Sequence, residues 1–565
     1  RAEEILSGMT PEEKIGQLFM LDFRKKDDQD VTAMDEDIAA TIKKYQPGGV
    51  ILFRENTVGT EQTLKLTGDY QNASPKIPLF IAVDQEGGAV TRLQSGTVMP
   101  GNMALGAVGS RRLTYNVAKA TGKELNALGI NMNFAPVVDV NNNPLNPVIG
   151  VRSFGDNPKK VAILGVKFMK GLHAAGIITA AKHFPGHGDT AMDSHIALPT
   201  VPHQLDRLEK IELLPFTALI RNGIEMIMTA HVTFPAIDDR EGVPATLSYP
   251  CLTGLLREKM KFKGVIITDA FSMKAITDRY GDKEAAAMAL KAGADIVLMP
   301  QNMADTFDYI VNQVKNGTIS EARIDSSVKR ILALKIKKGI INRNDSKDIF
   351  RLPQQAPETV GCKKHALLRK IVAERAVTLV KNDDNNLPFR LERRRRIVFF
   401  APSQAGADCV KEAFQALTDR ISQKSIAIEG YNYDGQRSLN ANQKDTVAKS
   451  DFVLLFTRTV KASDLAPDSS FMPDFAADLV KATDASGKKL VAVAVRNPYD
   501  IQFLSGVKSY LAVYTDWDGG GVEAAVKVIF GRVNPTGRLP VSIPDRTGNV
   551  IYRNGRGLSY HIEED

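Results

Sequence analysis

Eight times between Leu18 and Met299 the chain runs through a few consecutive apolar, β-favouring residues, and most of these runs stop at a polar one. The runs are 18–23, 49–53, 79–84, 132–138, 177–183, 226–232, 265–269 and 296–299, separated by amphipathic stretches such as 115–128 and 205–221. A strand covered on one face alternates apolar and polar residues. A continuously apolar one needs cover on both faces, which a parallel sheet wrapped in helices supplies. Eight strand-then-helix units predict a (β/α)8 TIM barrel. Thr10-Pro11-Glu12-Glu13 marks a helix start, with a capping Thr, Pro at the first helical position and Glu where a capping box needs it. A helix over 323–338 closes the unit.

The 565 residues exceed what one core organises. The stretch 341–360, carrying Asn342, Asn344, Pro353 and Pro357, reads as a linker. The pattern then restarts with a helix over 363–375 and apolar runs at 377–380, 397–401, 452–457, 490–495 and 512–514. The expected organisation is a catalytic barrel over 1–340, a linker over 341–360 and an α/β sandwich domain over 361–565.

Composition narrows the partners. Hydrophobic residues at 43% and charged residues at 24% are globular values. A net charge of +8 is small for this length; it fits an anionic neighbourhood such as a bacterial cell wall and makes no case for nucleic acid. The run Arg393–Arg396 leads straight into the apolar 397–400 and reads as a solvated turn before a strand. Cys251, Cys362 and Cys409 are too scattered for a disulfide framework or a metal site. The chain opens at Arg1 rather than Met, which is compatible with a removed leader and says nothing about compartment.

In such a barrel the strand ends share one mouth, so the residues that stop each run are the ones to inspect. They are Asp22-Phe23-Arg24, Asp84-Gln85-Glu86, Asp139, Lys182-His183, His231 and Asp269. Asp269, in "GVIITDAFSM", is either a carboxylate satisfied by the next helix or a nucleophile or base kept ionised by cations such as Lys182 and Arg152. The string "KHFPGHGDTAMDSH" is open to three readings. Asp193 and His195 suit a proton-transfer pair, since imidazole titrates near neutrality and a carboxylate can fix its tautomer. His183 and His187 have helical metal-ligand spacing, but Pro185-Gly186 between them breaks a helix. The glycines lack the spacing of a phosphate-cradling loop. Arg92 and Arg152, on loops after the third and fourth strands, are surface staples or donors to a hydroxyl-rich ligand.

Taken in order, "MTPEEKIGQLFM", "DQEGGAVTR", "NFAPVVDV", "KHFPGHGDTAMDSH" and "ITDAFSM" closely resemble family 3 glycoside hydrolases of the bacterial β-N-acetylglucosaminidase branch. The resemblance continues through "ERAVTLVKND" and "NPTGRLPVSIP", which look like the second domain of two-domain members. It implies Asp269 as nucleophile, His195 as acid/base with Asp193 as its partner, and Asp84, Arg92, Arg152, Lys182, His183 and Arg24 as sugar-binding residues. The implied reaction is retaining removal of terminal β-linked N-acetylglucosamine, with peptidoglycan fragments as substrate and no cofactor or metal. The alternatives carried with it are a phosphorylase, which passes the sugar to phosphate, and a metal-dependent barrel hydrolase. A monomer in a secreted or envelope location is expected, with the cytoplasm as alternative and association with the wall open.

Overall fold

Each apolar run becomes a parallel strand: β1 Phe19–Asp22, β2 Gly49–Leu52, β3 Phe80–Val83, β4 Met132–Asn133, β5 Ile178–Phe184, β6 Met226–Thr229, β7 Val265–Ile267 and β8 Val297–Leu298. The computed structural model describes residues 1–192, 198–341, 356–390, 395–418, 426–461, 464, 472–504 and 506–560. Strands β1 to β7 pair in sequence, and β8 pairs back onto β1. A single parallel bridge between Ile267 and Ile296 joins the last gap. The result is a nearly closed eight-stranded barrel whose carboxyl ends share one mouth. The expected capping box is present, with Thr10 Oγ1 accepting from Glu13 N at 3.2 Å and Glu13 Oε2 from Thr10 N at 3.0 Å.

Two expectations need correction. The run 132–138 yields only a two-residue strand, because Pro136 has no N–H for the ladder. Asn133 fills in with its side chain, which accepts from Gln85 N and donates to Gln85 O, both at 2.9 Å. The stretch 205–221 is two helices, Leu205–Lys210 and Leu213–Arg221. Glu212 sits at the break, its carboxylate bound to Arg207 Nη1 at 2.5 Å, and Pro215 occupies the following first turn, where a missing N–H costs little.

The helices wrap the barrel closely. Gly171 lets Pro158–His173 approach Arg111–Ala127, since a Cβ there would stand 2.3 Å from the Tyr115 carbonyl oxygen. Among the described residues no helix is long and apolar enough to cross a membrane.

The second sheet holds β9 Thr378–Asn382, β10 Arg396–Ala401, β11 Ala427–Asn432, β12 Phe452–Thr459, β13 Lys489–Arg496 and β14 Ser509–Ala512. Their order is β9-β14-β13-β12-β10-β11, with only β9 antiparallel. An apolar core lies on each face. Strand β11 was not expected: "AIEGYN" is an edge strand whose residues are all exposed or half-buried, so it carries no apolar run. The run 512–514 lies mainly past the end of β14. Of the expected linker, 342–355 fall outside the described residues, while Ala356–Thr359 forms a helical turn. Of the arginine run, Arg393 and Arg394 fall outside them, and Arg395 pairs with Asp451 at 3.1 Å.

The two units share apolar packing. Met103, Ala104, Ala107 and Val151, all from the barrel unit, belong to the core that lines one face of the second sheet.

Candidate active site

The mouth is organised around buried charges that neutralise one another. Glu86, three residues past the end of β3, is 3% exposed and accepts Arg152 Nε at 2.9 Å and Nη2 at 2.8 Å. Lys182, 2% exposed at the end of β5, reaches Glu86 at 2.7 Å and Asp84 at 2.6 Å. Burial alone would push the Glu86 carboxyl up, but Arg152 and Lys182 outweigh it and hold it far below the usual range. Burial pulls the Lys182 ammonium down, and Asp84 with Glu86 more than restores it.

His183, next on the same strand, is held in one tautomer. Its Nδ1 lies 2.7 Å from Asp139 Oδ2, and its Nε2 lies 3.4 Å from Arg152 Nη2. Asp139 Oδ1 also accepts the backbone N–H of His187 at 2.7 Å. Burial would raise the Asp139 carboxyl; His183 and His187 bring it below the ordinary value. An Asp behind the imidazole leaves Nε2 facing the mouth, an arrangement suited to a directed polar contact.

Asp269 stands two residues past β7, its Oδ1 accepting Ala270 N at 2.8 Å. Burial works against its charge, but His231 and His183, the Ala270 N–H and Lys182 together hold the carboxyl below its ordinary value. His231 is itself fixed, with Nδ1 2.9 Å from Thr246 Oγ1 and Nε2 3.1 Å from the Ala270 carbonyl oxygen. The mouth thus contains a half-buried, ionised carboxylate faced by cationic and imidazole groups from other strands.

Two arginines lie further out. Arg92 stacks on Phe53 at 5.5 Å, its backbone N–H donating to Gln85 Oε1 at 2.7 Å. Its buried Nε has no hydrogen-bond partner among the described residues. Arg24 covers the same ring at 4.9 Å and pairs with Glu55 through Nε at 2.8 Å. One phenyl ring therefore carries two guanidinium groups on the rim.

The loop after β5 is built to stay close to the loop after β4. A Cβ on Gly188 would stand 1.9 Å from the Val140 carbonyl oxygen, so only glycine fits. Asn146 Nδ2 donates to the His187 and Gly188 carbonyls at 2.8 and 3.0 Å. Further along, Asp189 meets His203 at 2.7 Å and Arg207 at 3.3 Å. Asp193 and His195 lie outside the described residues. His183 and His187 do come together, ring centres 5.9 Å apart, but from the end of β5 and the loop after it rather than from a helix. Among the described residues no three His, Cys, Asp or Glu side chains form a group able to hold a metal ion.

Comparison with known proteins names the architecture. The family model for the glycosyl hydrolase family 3 N terminal domain matches residues 10–334, and that for its C-terminal domain matches 377–561. The chain belongs to glycosyl hydrolase family 3. This family 3 chain is therefore a glycoside hydrolase. It is 33% identical to Beta-hexosaminidase A of Pseudoalteromonas piscicida, over 95% of this chain and 97% of that protein. It is 29% identical to a Beta-N-acetylglucosaminidase/beta-glucosidase of Cellulomonas fimi, over 80% of this chain and 79% of that one. The solved family 3 β-N-acetylglucosaminidase of Paenibacillus sp. str. FPU-7 superposes with a TM-score of 0.79 at 34% identity, covering 94% of this chain and 99% of that one.

Against this family 3 fold, Asp84, Lys182, His183 and Asp269 converge from the strand ends on one mouth, Arg152 joins them from the loop after β4, and Arg92 and Arg24 stand on the Phe53 rim. Sequence reasoning marked Glu86, Asp139 and His231 as strand ends and gave them no role. The contacts show why they matter: Glu86 fixes Arg152 and Lys182, Asp139 fixes His183, and His231 is held against the Ala270 carbonyl beside Asp269. Position at a strand end was the only available signal, and it does not say which residue meets which.

Proposed function

We propose that this protein is a retaining exo-β-N-acetylglucosaminidase in which Asp269 is the nucleophile and the Asp193–His195 pair moves the proton. The observation that carries this reading is Asp269 itself, half-buried past a strand end yet kept ionised by His231, His183 and Lys182. A retaining hydrolase needs such a carboxylate to attack the anomeric carbon while the leaving oxygen takes a proton. In the first step an Asp269 oxygen forms the bond to the sugar and the glycosidic bond breaks, with His195 giving its proton to the departing oxygen. In the second step water attacks that carbon, His195 takes a proton from the water, and the Asp269–sugar bond breaks. Asp193 holds the His195 tautomer.

Asp84, Arg92, Arg152, Lys182, His183 and Arg24 take the sugar's hydroxyl and acetamido groups. The ion pairs around Lys182 and Arg152 support this, since charged donors and acceptors in fixed directions suit a polyhydroxylated ring. The N-acetylglucosaminidase names of the relatives above support the choice of sugar. Peptidoglycan fragments, N-acetylglucosamine on N-acetylmuramic acid, are the proposed substrate. A monomer working in a secreted or envelope location fits the modest positive charge. The same reading puts the catalytic unit in 1–340, the linker in 341–360 and the sandwich in 361–565.

A panel of aryl β-glycosides run on wild type, Asp269→Ala and His195→Ala tests sugar, nucleophile and acid together. Asp269→Ala should lower kcat by about a thousandfold or more on every substrate. The penalty of His195→Ala should grow as the leaving group becomes poorer. Equal loss with good and poor leaving groups would remove His195 from the acid role, and preference for another sugar would remove N-acetylglucosamine. Product analysis with and without phosphate separates hydrolysis from phosphorolysis.

A further inference from the structure

The mouth charges belong to the barrel, which leaves residues 361–565 without an evident part in the chemistry. Beside the packing of Met103, Ala104 and Ala107 against the second sheet, one loop carries a dense set of their contacts. Residues 139–157, between β4 and the helix Pro158–His173, carry both Asp139 and Arg152. The second domain grips this loop at three places.

Tyr499 OH accepts Asn141 Nδ2 at 3.0 Å, two residues from Asp139. The Asn497 side chain packs against Gly150, since a Cβ on Gly150 would stand 3.1 Å from Asn497 Oδ1. Asn497 is itself tied to its own domain through Nδ2 to the Val460 carbonyl at 2.7 Å. Val151, adjacent to Arg152, is buried in the second sheet's apolar core beside Tyr499 and Ile501. At the far end Asp156 accepts Ser542 N at 2.7 Å and Asn554 Nδ2 at 2.5 Å.

Inside the grip the loop is braced towards the mouth. Ser153 Oγ donates to the Asp139 carbonyl at 2.6 Å, and Asn102 Nδ2 to the Arg152 carbonyl at 2.8 Å. The guanidinium then meets Glu86 and His183, and Asp139 meets His183, as described. A bidentate arginine loses its geometry when its backbone shifts by a fraction of an ångström, because both N–H bonds must align at once.

We infer that Tyr499 and Asn497 are positioning residues for the reaction: the second domain sets Arg152 and Asp139 in the barrel mouth by clamping residues 139–157. This rests on the sugar-binding role given above to Arg152 and His183. It assigns residues 361–565 a part in substrate binding without any of them touching the sugar.

The test uses the full chain with Tyr499→Phe, which removes one hydroxyl, and Asn497→Ser. KM for an aryl N-acetylglucosaminide should rise about three- to tenfold for each, in line with the loss of a single buried hydrogen bond. The pH profile of kcat should stay in place, because neither residue is a proton carrier. Combined with Arg152→Lys, Tyr499→Phe should cost less than its separate factor, since both act through one guanidinium. Amide exchange across 139–157 should quicken in both variants while exchange in β12 and β13 holds.

A lowered melting temperature with unchanged KM, or factors that simply multiply with Arg152→Lys, would reduce both residues to structural packing. Unchanged exchange across 139–157 would overturn the clamp outright. If the wild type turns over no N-acetylglucosaminide, the proposed function fails, and the exchange measurement still decides the clamp.

Discussion

The barrel mouth and the carboxyl edge of the second sheet are built alike and end differently. Both are parallel sheets whose apolar strands stop on polar residues. In the barrel those residues are Asp84, Glu86, Asp139, Lys182, His183 and Asp269, and closure aims them at one axis. There Glu86 meets both Lys182 and Arg152, and Asp139 meets His183. Along the open sheet the ends form a row instead. Asp516 is clamped by Arg458 at 2.7 Å and Arg496 at 3.0 Å, which pairs the three charges locally. Asp500, fully buried after β13, has no hydrogen-bond partner for either oxygen among the described residues. Burial pushes its carboxyl up to about 6, the nearby Thr457 and Thr459 hydroxyls offsetting only part of that. Polar strand ends are thus a necessary sign of a site in a parallel sheet. Convergence on one cavity makes them one.

The sharpest break in this comparison is Glu86→Gln. It leaves Lys182 and Arg152 buried with too little counter-charge, and removing one partner from a buried ion network costs about 3–5 kcal/mol. Chemical denaturation should show that loss, together with a large fall in kcat/KM. A change under about 1 kcal/mol would mean that the mouth is better hydrated than its burial implies.

The next tests use pH, where the two regions should respond with opposite sign. Burial and the neighbouring His183 bring the His187 imidazole down to about 4, against about 6.5 in an unfolded chain. Its folded value is depressed, so the unfolded chain binds the extra proton. Stability is present above about pH 6.5 and is lost as pH falls towards 4, a loss of about 3 kcal/mol at most. His187→Asn should flatten that slope in a melting-temperature series from pH 7 to 4.5. A slope that survives the substitution must come from another group.

Asp500 runs the other way. Its folded value is raised, so stability is fully present below the ordinary carboxyl range and is lost as pH rises through about 6. Asp500→Asn should therefore stabilise the chain at pH 7 by about 2–3 kcal/mol and have little effect near pH 4. Destabilisation at pH 7 would show that the charge is wanted there. In the wild type the two slopes oppose each other between pH 4 and 6, so only the single variants expose them.

The smallest effect belongs to the rim. Arg24→Ala breaks an exposed pair with Glu55 and should change stability by less than about 1 kcal/mol. Its KM for an aryl N-acetylglucosaminide should rise by no more than about fivefold, less than for Arg152→Lys.

Much of this was legible in advance because it depends on local pattern. A continuous apolar run specifies a strand covered on both faces wherever it sits, and all eight barrel strands were found on that basis. The pattern failed where a side chain replaced backbone or where apolarity was absent. Asn133 substitutes for ladder bonds beyond its short strand, Glu212 breaks a helix to reach Arg207, and β11 is an exposed edge. Among the site residues, Asp84, Lys182, His183 and Asp269 were legible as the polar stops of apolar runs. The roles of Glu86, Asp139 and His231 were not, since each acts through a partner between 39 and 96 positions away.

By itself the sequence determined the strand count of the barrel, its parallel order, a second α/β unit and the residue types at the mouth. These follow from periodicity and from polar residues that terminate apolar runs. Tertiary structure alone decided which charges meet. It put Asp139 behind His183 and Glu86 between two cations, and it brought Tyr499 against Asn141, 358 positions earlier in the chain. Such pairings depend on distances between strands and on the seating of one domain on another, and no local periodicity encodes either.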